Sequence, residues 1–329
     1  MTLQIGTLTI DPPLLSAPMA GFTNLAYREI LRQFGGVGLI ATEMVSARSF
    51  VYKEARGEDA PSRLWGIRDE ARPLAVQIWD NQPETLAYFA EMLARDYQPG
   101  VIDLNFGCPA PAIAKNSASG SWLLKTPDKV GAIIERVVQA AAPIPVTAKI
   151  RLGWTRDTIN AIDVAQAVES AGGAALTVHG RTAQDMYRGT ANWDEIARVK
   201  SSLRAIPLIG NGDIKTVEEA LFRLRNYPVD GIMIGRGAIS KPWLFRQIAQ
   251  ALRGEPVDAE PSGQQICEMV RWHFDVLQRQ FNERMALMLL RKTVCHYAGS
   301  QRGARKFRND VCTARDVETF FRTIRVFFS

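Results

Sequence analysis

No stretch of this sequence approaches the ~18 consecutive apolar residues that a membrane-spanning helix requires. The N-terminal segment lacks a basic region followed by an apolar core, so it does not read as a secretory leader. The four cysteines, Cys108, Cys267, Cys295 and Cys312, form no Cys-x-x-Cys pair and no metal-ligand spacing. That argues against both a zinc site and a disulfide framework. Low-complexity segments are missing, and so are internal repeats beyond a recurring strand–helix period. These absences point to a reducing cytoplasm, with no membrane attachment and no obligate protein partner indicated. A chain of 329 residues, 47% apolar and 22% charged, can bury a core large enough to fold without metals or disulfides.

The net charge of +6 is informative once it is located. Residues 1–263 hold 28 basic and 28 acidic side chains, whereas residues 264–329 hold 12 against 6. A neutral body with a basic tail suggests a polyanionic partner; the alternative is a solvated basic helix surface.

Short runs rich in aliphatic and β-branched residues recur at 13–16, 39–43, 74–79, 101–106, 146–150, 175–179, 208–210 and 231–234. Amphipathic segments lie between them, at 83–96, 127–141, 159–171, 193–201 and 216–225. Thr126-Pro127, and Thr216 with Glu219 three residues on, read as helix starts. Strands apolar on both faces and alternating with helices indicate a parallel sheet covered on both sides. Eight such units predict a (β/α)8 barrel, with a doubly wound open sheet as the competing architecture. After Arg253 the pattern changes. Residues 254–263 form a Gly/Pro-rich acidic linker, and beyond it the chain reads as helical at 264–280, 284–297 and 312–328, with a break at 298–304. The expected organisation is an α/β barrel over 1–253, the linker, and a small C-terminal helical bundle over 264–329.

In such a barrel the chemistry stands at the strand C-terminal ends. Strand four ends in Asp103-Leu-Asn-Phe-Gly-Cys-Pro109, strand five in Lys149-Ile-Arg-Leu-Gly-Trp154 and strand six in His179-Gly-Arg-Thr182. Strands seven and eight end in Asn211-Gly212-Asp213 and Gly235-Arg236-Gly237. Two glycine-bearing loops at those two strands call for a phosphorylated ligand such as a flavin mononucleotide, held by backbone N–H groups.

These motifs, with Ala17-Pro-Met-Ala-Gly-Phe-Thr-Asn24 and Met233-Ile-Gly-Arg236, resemble the tRNA-dihydrouridine synthases of the bacterial branch in order and spacing. The resemblance extends over nearly the full chain. In the tail, Arg291-Lys292 and His296-Tyr297 are similar to that family's Arg-Lys…Trp-Tyr helix. The resemblance implies a flavin (FMN) enzyme that uses NADPH, with a helical domain that recognises tRNA.

It also implies roles for particular residues. Cys108 matches the family's acid, which protonates C5 of uracil after hydride reaches C6; a free thiol with a pKa of about 8.5 is protonated at neutral pH. Its plain alternative is a small buried cysteine in a Gly-Cys-Pro turn. The loop after it departs from the family, with Ala118-Ser-Gly-Ser121 where the family usually has Ala-Gly-Gly or Ala-Gly-Ala. Lys149 would stabilise an anionic reduced flavin. His179 would donate to the flavin pyrimidine edge or to substrate. Gln77, Pro18 and Met19 match flavin contacts, as do Asn211, Gly212, Asp213, Gly235 and Arg236 at the phosphate loops. Asn105 and Arg151 resemble residues that hold the uracil edge. Tyr187 would stack on the base, and Arg181 would contact phosphate or substrate. In the tail, Arg291, Lys292, Arg305, Lys306 and Arg308 are the densest basic group and would meet RNA phosphates. A base that must reach a flavin in a barrel mouth leaves its stack most cheaply from an unpaired loop. Two rival functions are an FMN dehydrogenase of a free pyrimidine and an RNA-binding relative that has lost catalysis.

Overall fold

The computed structural model of the chain describes residues 2–299 and 301–329. Strands β1 (Leu3–Ile5) and β2 (Leu8–Ile10) open the chain as an antiparallel hairpin across Gly6-Thr7. Gly6 sits at φ +57°, which a two-residue hairpin turn needs and a side chain resists. Leu3 packs against Gly231 and Gly6 against Pro145, both at strand beginnings, so the hairpin closes the N-terminal end of the barrel.

The barrel is one parallel sheet made of β3 (Leu14–Ser16), β4 (Ile40–Ala41), β5 (Val45–Ser46), β6 (Leu74–Trp79), β7 (Val101–Phe106), β8 (Val146–Arg151), β9 (Ala175–His179), β10 (Leu208–Asn211) and β11 (Gly231–Ile234). Strands pair in the order β4-β6-β7-β8-β9-β10-β11-β3, and β5 adds a separate pairing to β6. The Ser16 amide donates to the Leu39 carbonyl at 2.9 Å and the Ala41 amide to Ser16 Oγ at 2.9 Å. These contacts join β3 to β4, so the sheet closes on itself and the open doubly wound alternative is excluded. The apolar runs at 74–79, 101–106, 175–179 and 231–234 coincide with β6, β7, β9 and β11 to the residue.

Around the sheet run α1 (Leu25–Phe34), α2 (Ala47–Glu54), α3 (Pro83–Asp96), the short α4 (Pro111–Ala114), α5 (Pro127–Ala141), α6 (Ala161–Ser170), α7 (Trp193–Ser202), α8 (Val217–Asn226), α9 (Arg236–Ser240) and α10 (Leu244–Arg253). Helix α3 shows why such segments form. Pro83 stands in its first turn, and Leu86, Ala87, Phe89, Ala90 and Leu93 recur at helical spacing and are all buried against the sheet. At α8 the Thr216 hydroxyl caps the Glu219 amide, but the Glu219 carboxylate bonds the Lys215 amide, so the expected reciprocal box does not close.

Beyond α10, residues 254–262 carry no helix or strand. They are tied to the barrel by Glu260, which accepts from the Trp243 indole and from Lys241 at 2.6 and 2.7 Å. Four helices follow: α11 (Gly263–Gln278), α12 (Glu283–Tyr297), α13 (Ala304–Thr313) and α14 (Val317–Phe328). The sequence reading of one helix over 312–328 is corrected. Asp316 caps the Thr319 amide at 2.7 Å and starts a new helix there, leaving α13 as a separate element. The bundle core takes in Ala26 and Ile30 from α1 and Trp243, so barrel and bundle share apolar surface. Helix α1 is itself pinned by Arg28, whose buried guanidinium bonds Glu70 at 2.8 Å. Losing either partner of such a pair would leave a buried charge and cost ~3–5 kcal/mol. No helix among the described residues is long and apolar enough to cross a membrane.

Candidate active site

Side chains from the C-terminal ends of the strands converge on a cavity of about 470 Å³. Gln77 of β6, Asn105 of β7, Lys149 and Arg151 of β8, His179 of β9 and Asn211 of β10 line it. So do Cys108, Pro18, Met19, Tyr187, Gly212, Asp213, Gly235 and Arg236 from the loops. The strand pleat explains the choice of residues: Asn105 and Asp103, like Lys149 and Arg151, are two apart and share the inward face.

A buried polar ladder runs beneath the cavity. Thr147 Oγ1 and Gln77 Nε2 each donate to the Asp103 carboxylate at 2.7 Å, and Asn105 Nδ2 donates to Gln77 Oε1 at 2.8 Å. Burial pushes the Asp103 carboxyl up, against the pull of those two hydrogen bonds. The Asn105 carbonyl accepts from the Gly107 and Cys108 amides at 3.1 and 2.9 Å. Asn105 therefore clasps the turn that presents the thiol, and both ends of its amide are already engaged.

The Cys108 carbonyl accepts from the Ser121 amide at 3.0 Å. A Cβ on Gly120 would lie 2.7 Å from that carbonyl oxygen, and the residue sits at φ +56°, so only glycine fits. The atypical Ala118–Ser121 sequence thus keeps the one glycine its closure over Cys108 requires. Burial pushes the Cys108 thiol above its ordinary value, with Arg151 and Lys149 pulling the other way. The thiol is accordingly protonated at neutral pH.

Lys149 Nζ donates to Asn211 Oδ1 at 3.1 Å, and Asn211 Nδ2 donates in turn to the Met233 carbonyl at 2.7 Å. Burial first, then the neighbouring Arg151 charge, lowers the Lys149 ammonium to about 8. Such a lysine gains from an anionic ligand placed beside it. His179 is held neutral, well below its usual range, by burial and by the cations Lys149, Arg151, Arg181 and Arg236. Arg181 faces its Nε2 at 3.4 Å. A guanidinium only donates, so this contact is a hydrogen bond in the tautomer that carries its proton on Nδ1.

Arg151 and Arg181 act on backbone. Arg151 donates to the carbonyls of Gly107, Thr182 and Met186 at 2.9, 2.9 and 2.7 Å, bridging the loops after β7 and β9. Arg181 does not line the cavity. It is buried, pairs with both Asp213 oxygens at 3.0 and 2.7 Å, and donates to the Arg188 and Gly189 carbonyls. The expected phosphate or substrate contact for Arg181 is corrected: its donors are consumed in holding the loops after β9 and β10. The Asp213 carboxylate likewise faces Arg181 and the Ala191 amide, with Arg236 at 3.4 Å, and only its backbone is left for a ligand. Burial raises the Asp213 carboxyl, but these hydrogen bonds and charges outweigh it and hold it low.

The glycines after β10 and β11 have local reasons. Gly212 takes φ +133°, and a Cβ on Gly237 would stand 2.2 Å from the Ile214 carbonyl oxygen. They let the two loops interlock. Arg236 and Gly237 open α9, so their N–H groups have no intrahelical acceptor, and both residues line the cavity. Tyr187 is 54% exposed, with the Arg236 and Arg151 guanidinium carbons 4.7 and 5.5 Å from its ring centre.

Residues the sequence reading left out of the site also line the cavity: Phe22, Met44, Met186 and His296. His296 comes from α12 of the bundle and meets Phe22 edge-on at 5.2 Å. Its position within the Arg291-Lys292…His296-Tyr297 segment was the available signal. Lys292 stands beside it, with its ammonium 4.0 Å from the Phe22 ring centre.

The five basic tail residues do not form one surface. Lys292, Arg305 and Lys306 are exposed, and Lys306 pairs with Asp310 at 2.6 Å on the surface. Arg291 is turned inward to the Ala314 carbonyl, with its Nε buried and unpartnered. Arg308 donates to the Cys295 carbonyl at 3.1 Å and to the Gly299 carbonyl, stapling α13 to the end of α12. Arg291 and Arg308 thus stand apart from the exposed group, each donating to backbone carbonyls within the bundle.

The family profile described as dihydrouridine synthase matches residues 15–326. The chain is similar to tRNA-dihydrouridine synthase B of Pseudomonas aeruginosa, at 37% identity over 99% of this chain and 96% of that protein. It is 35% identical to a probable tRNA-dihydrouridine synthase of Rhodobacter capsulatus, over 100% of this chain and 98% of the relative. Among solved structures it resembles morphinone reductase in complex with tetrahydroNAD, with a TM-score of 0.53 at 13% identity, covering 80% of this chain and 92% of that one. At that identity the structural likeness speaks for the barrel alone.

Proposed function

This chain belongs to the dihydrouridine synthase family, and from that premise we propose that it reduces the C5–C6 double bond of a loop uridine in cytoplasmic tRNA. The observation that carries this reading is the convergence of a protonated thiol, a lysine lowered to about 8 and a row of helix-opening amides on one cavity. The residues fit an FMN. Donors from Arg236, Gly237 and the Arg236 guanidinium suit its phosphate, and buried Lys149 suits the electron-rich edge of its ring. Gln77, His179, Pro18 and Met19 line the same space. When bound, FMN reduced by NADPH supplies the hydride that uracil takes up at C6.

The chain's own residues do the rest. Hydride addition at C6 leaves negative charge at C5, and the Cys108 thiol gives its proton there; the thiolate is then reprotonated from solvent. Arg151 and Lys149, whose charges lower the thiol's pKa, stabilise that thiolate. Asn105 and Arg151 hold the Gly107-Cys108 turn and so fix where the proton is delivered. Tyr187 offers an exposed ring to the extruded base, and His179 a neutral N–H. His296 and Lys292 bring the basic bundle to the mouth of the cavity, which favours a polyanionic substrate over a free pyrimidine. Ligand release and mass spectrometry of the purified protein test the cofactor assignment. FMN is the expected species, and FAD or an apoprotein that takes up no FMN on reconstitution would refute it.

A further inference from the structure

We propose that Trp122, Trp154 and Lys125 form a second nucleotide-binding surface on the barrel rim, which stacks a base flanking the target and neutralises its phosphate. The inference rests on the reading that RNA is the substrate. Trp122 and Lys125 belong to the short helical turn Gly120–Lys125. Its neighbour Ser121 is hydrogen-bonded to the Cys108 carbonyl at 3.0 Å, so this turn sits directly behind the proposed acid. Trp154 lies in the loop after β8, and its carbonyl accepts from the Gln184 amide of the next loop at 3.0 Å. Both indoles thus hang on loops that bound the cavity, yet neither lines it.

The two rings meet edge to face at 5.4 Å and 81°. The Lys125 ammonium fills the corner between them, 3.5 Å from the Trp122 centroid and 4.1 Å from that of Trp154. Trp122 is 37% exposed, so part of its indole is open to solvent beside the catalytic loop, with Lys125 over one face of the ring. A flat aromatic next to a fixed cation is the pairing that single-stranded nucleic acid meets with a base and a phosphate. The need for it arises from the chemistry next door. Extruding one base from the RNA stack strips its neighbours of a stacking partner, and Trp122 supplies a replacement. Stacking of this kind is indifferent to base identity, so the surface favours an unpaired flank over a particular sequence.

The test uses full-length, flavin-loaded protein, with Trp122→Ala, Trp122→Phe and Lys125→Gln as variants. tRNA affinity is measured by fluorescence anisotropy at several salt concentrations, alongside KM and kcat for tRNA and the rate of flavin bleaching by NADPH. Trp122→Ala is expected to weaken tRNA binding and raise KM roughly 5- to 150-fold, with bleaching unchanged. Phe should restore most of the loss because it keeps a flat ring. Lys125→Gln should flatten the dependence of log K on log salt by about 0.7–0.9. Unchanged affinity in Trp122→Ala overturns the proposal while leaving tRNA reduction by the wild type intact. A loss that Phe does not restore, accompanied by slower bleaching and earlier melting, also overturns it and assigns the cluster to stiffening the loop. If the wild type binds tRNA and Trp122→Ala weakens it, but no uridine is reduced, the surface stands and the proposed activity falls.

Discussion

Moving from pH 7 to pH 5 should weaken the C-terminal helices by about 2 kcal/mol, and His273→Leu should remove most of that loss. His273 lies on α11, fully enclosed by the bundle core, and neither ring nitrogen has a hydrogen-bond partner. Burial alone pushes its pKa down to about 3. In the unfolded chain the imidazole titrates near 6.5. Above that pH both states are neutral and the site contributes its full stability. Below it the unfolded chain binds a proton that the folded chain refuses, so stability falls as the pH falls. At pH 5 the deficit spans ~1.5 pH units at about 1.4 kcal/mol each, hence the figure of about 2 kcal/mol. The magnitude depends on the unfolded value, because the folded imidazole stays neutral throughout the range. Urea melts of wild type and His273→Leu at both pH values measure the difference directly. Leucine fills similar volume and leaves no orphaned nitrogen, so its own stability at pH 7 should be equal or better. Identical pH dependence in the two proteins would refute the reasoning, as would an imidazole resonance assigned to His273 that titrates near pH 6.5.

Further outcomes concern the mouth and the bundle. Cys108→Ala should slow tRNA reduction by roughly 10²–10⁴-fold while NADPH bleaches the flavin at its normal rate, measured by stopped-flow absorbance. Gly237→Ala places a Cβ 2.2 Å from the Ile214 carbonyl oxygen and should cost ~1–3 kcal/mol and lower flavin content, read from absorbance after gel filtration. Arg305→Ala with Lys306→Ala should flatten the salt slope of tRNA binding by about 1.4–1.8 units without earlier melting. Arg308→Ala should do the reverse, lowering the melting temperature while keeping the slope, since its donors serve the carbonyls of Cys295 in α12 and Gly299 just beyond it.

The barrel was legible because its strands are buried on both faces and its helices carry start signals; β6, β7, α3 and α5 fall where periodicity puts them. The opening hairpin was missed although Leu3, Ile5, Leu8 and Ile10 alternate around Gly6-Thr7, since three-residue strands are too short to stand out. Helix α13 was missed because Gly299 and Gly303 read as one long break and α13 carries four charged residues among its ten, Arg305, Lys306, Arg308 and Asp310. The strand-end residues of the site were legible from their motifs. The partners of an arginine were not. Arg151, Arg181, Arg291 and Arg308 all donate to backbone carbonyls outside their own turn of chain, and sequence says nothing of which carbonyls a fold leaves without a donor. His296 reaches the cavity because α12 packs on α9 at the barrel mouth, a long-range contact that hydrophobic periodicity does not show.

The most direct test of the proposed activity combines the purified flavin-loaded protein, NADPH and unmodified tRNA, followed by nuclease digestion and mass spectrometry of the nucleosides. We expect dihydrouridine at a discrete loop position, at an amount matched by the NADPH consumed, and none with Cys108→Ala on the same timescale. A flavin that NADPH bleaches but tRNA does not reoxidise, with every uridine unchanged in mass, would contradict it.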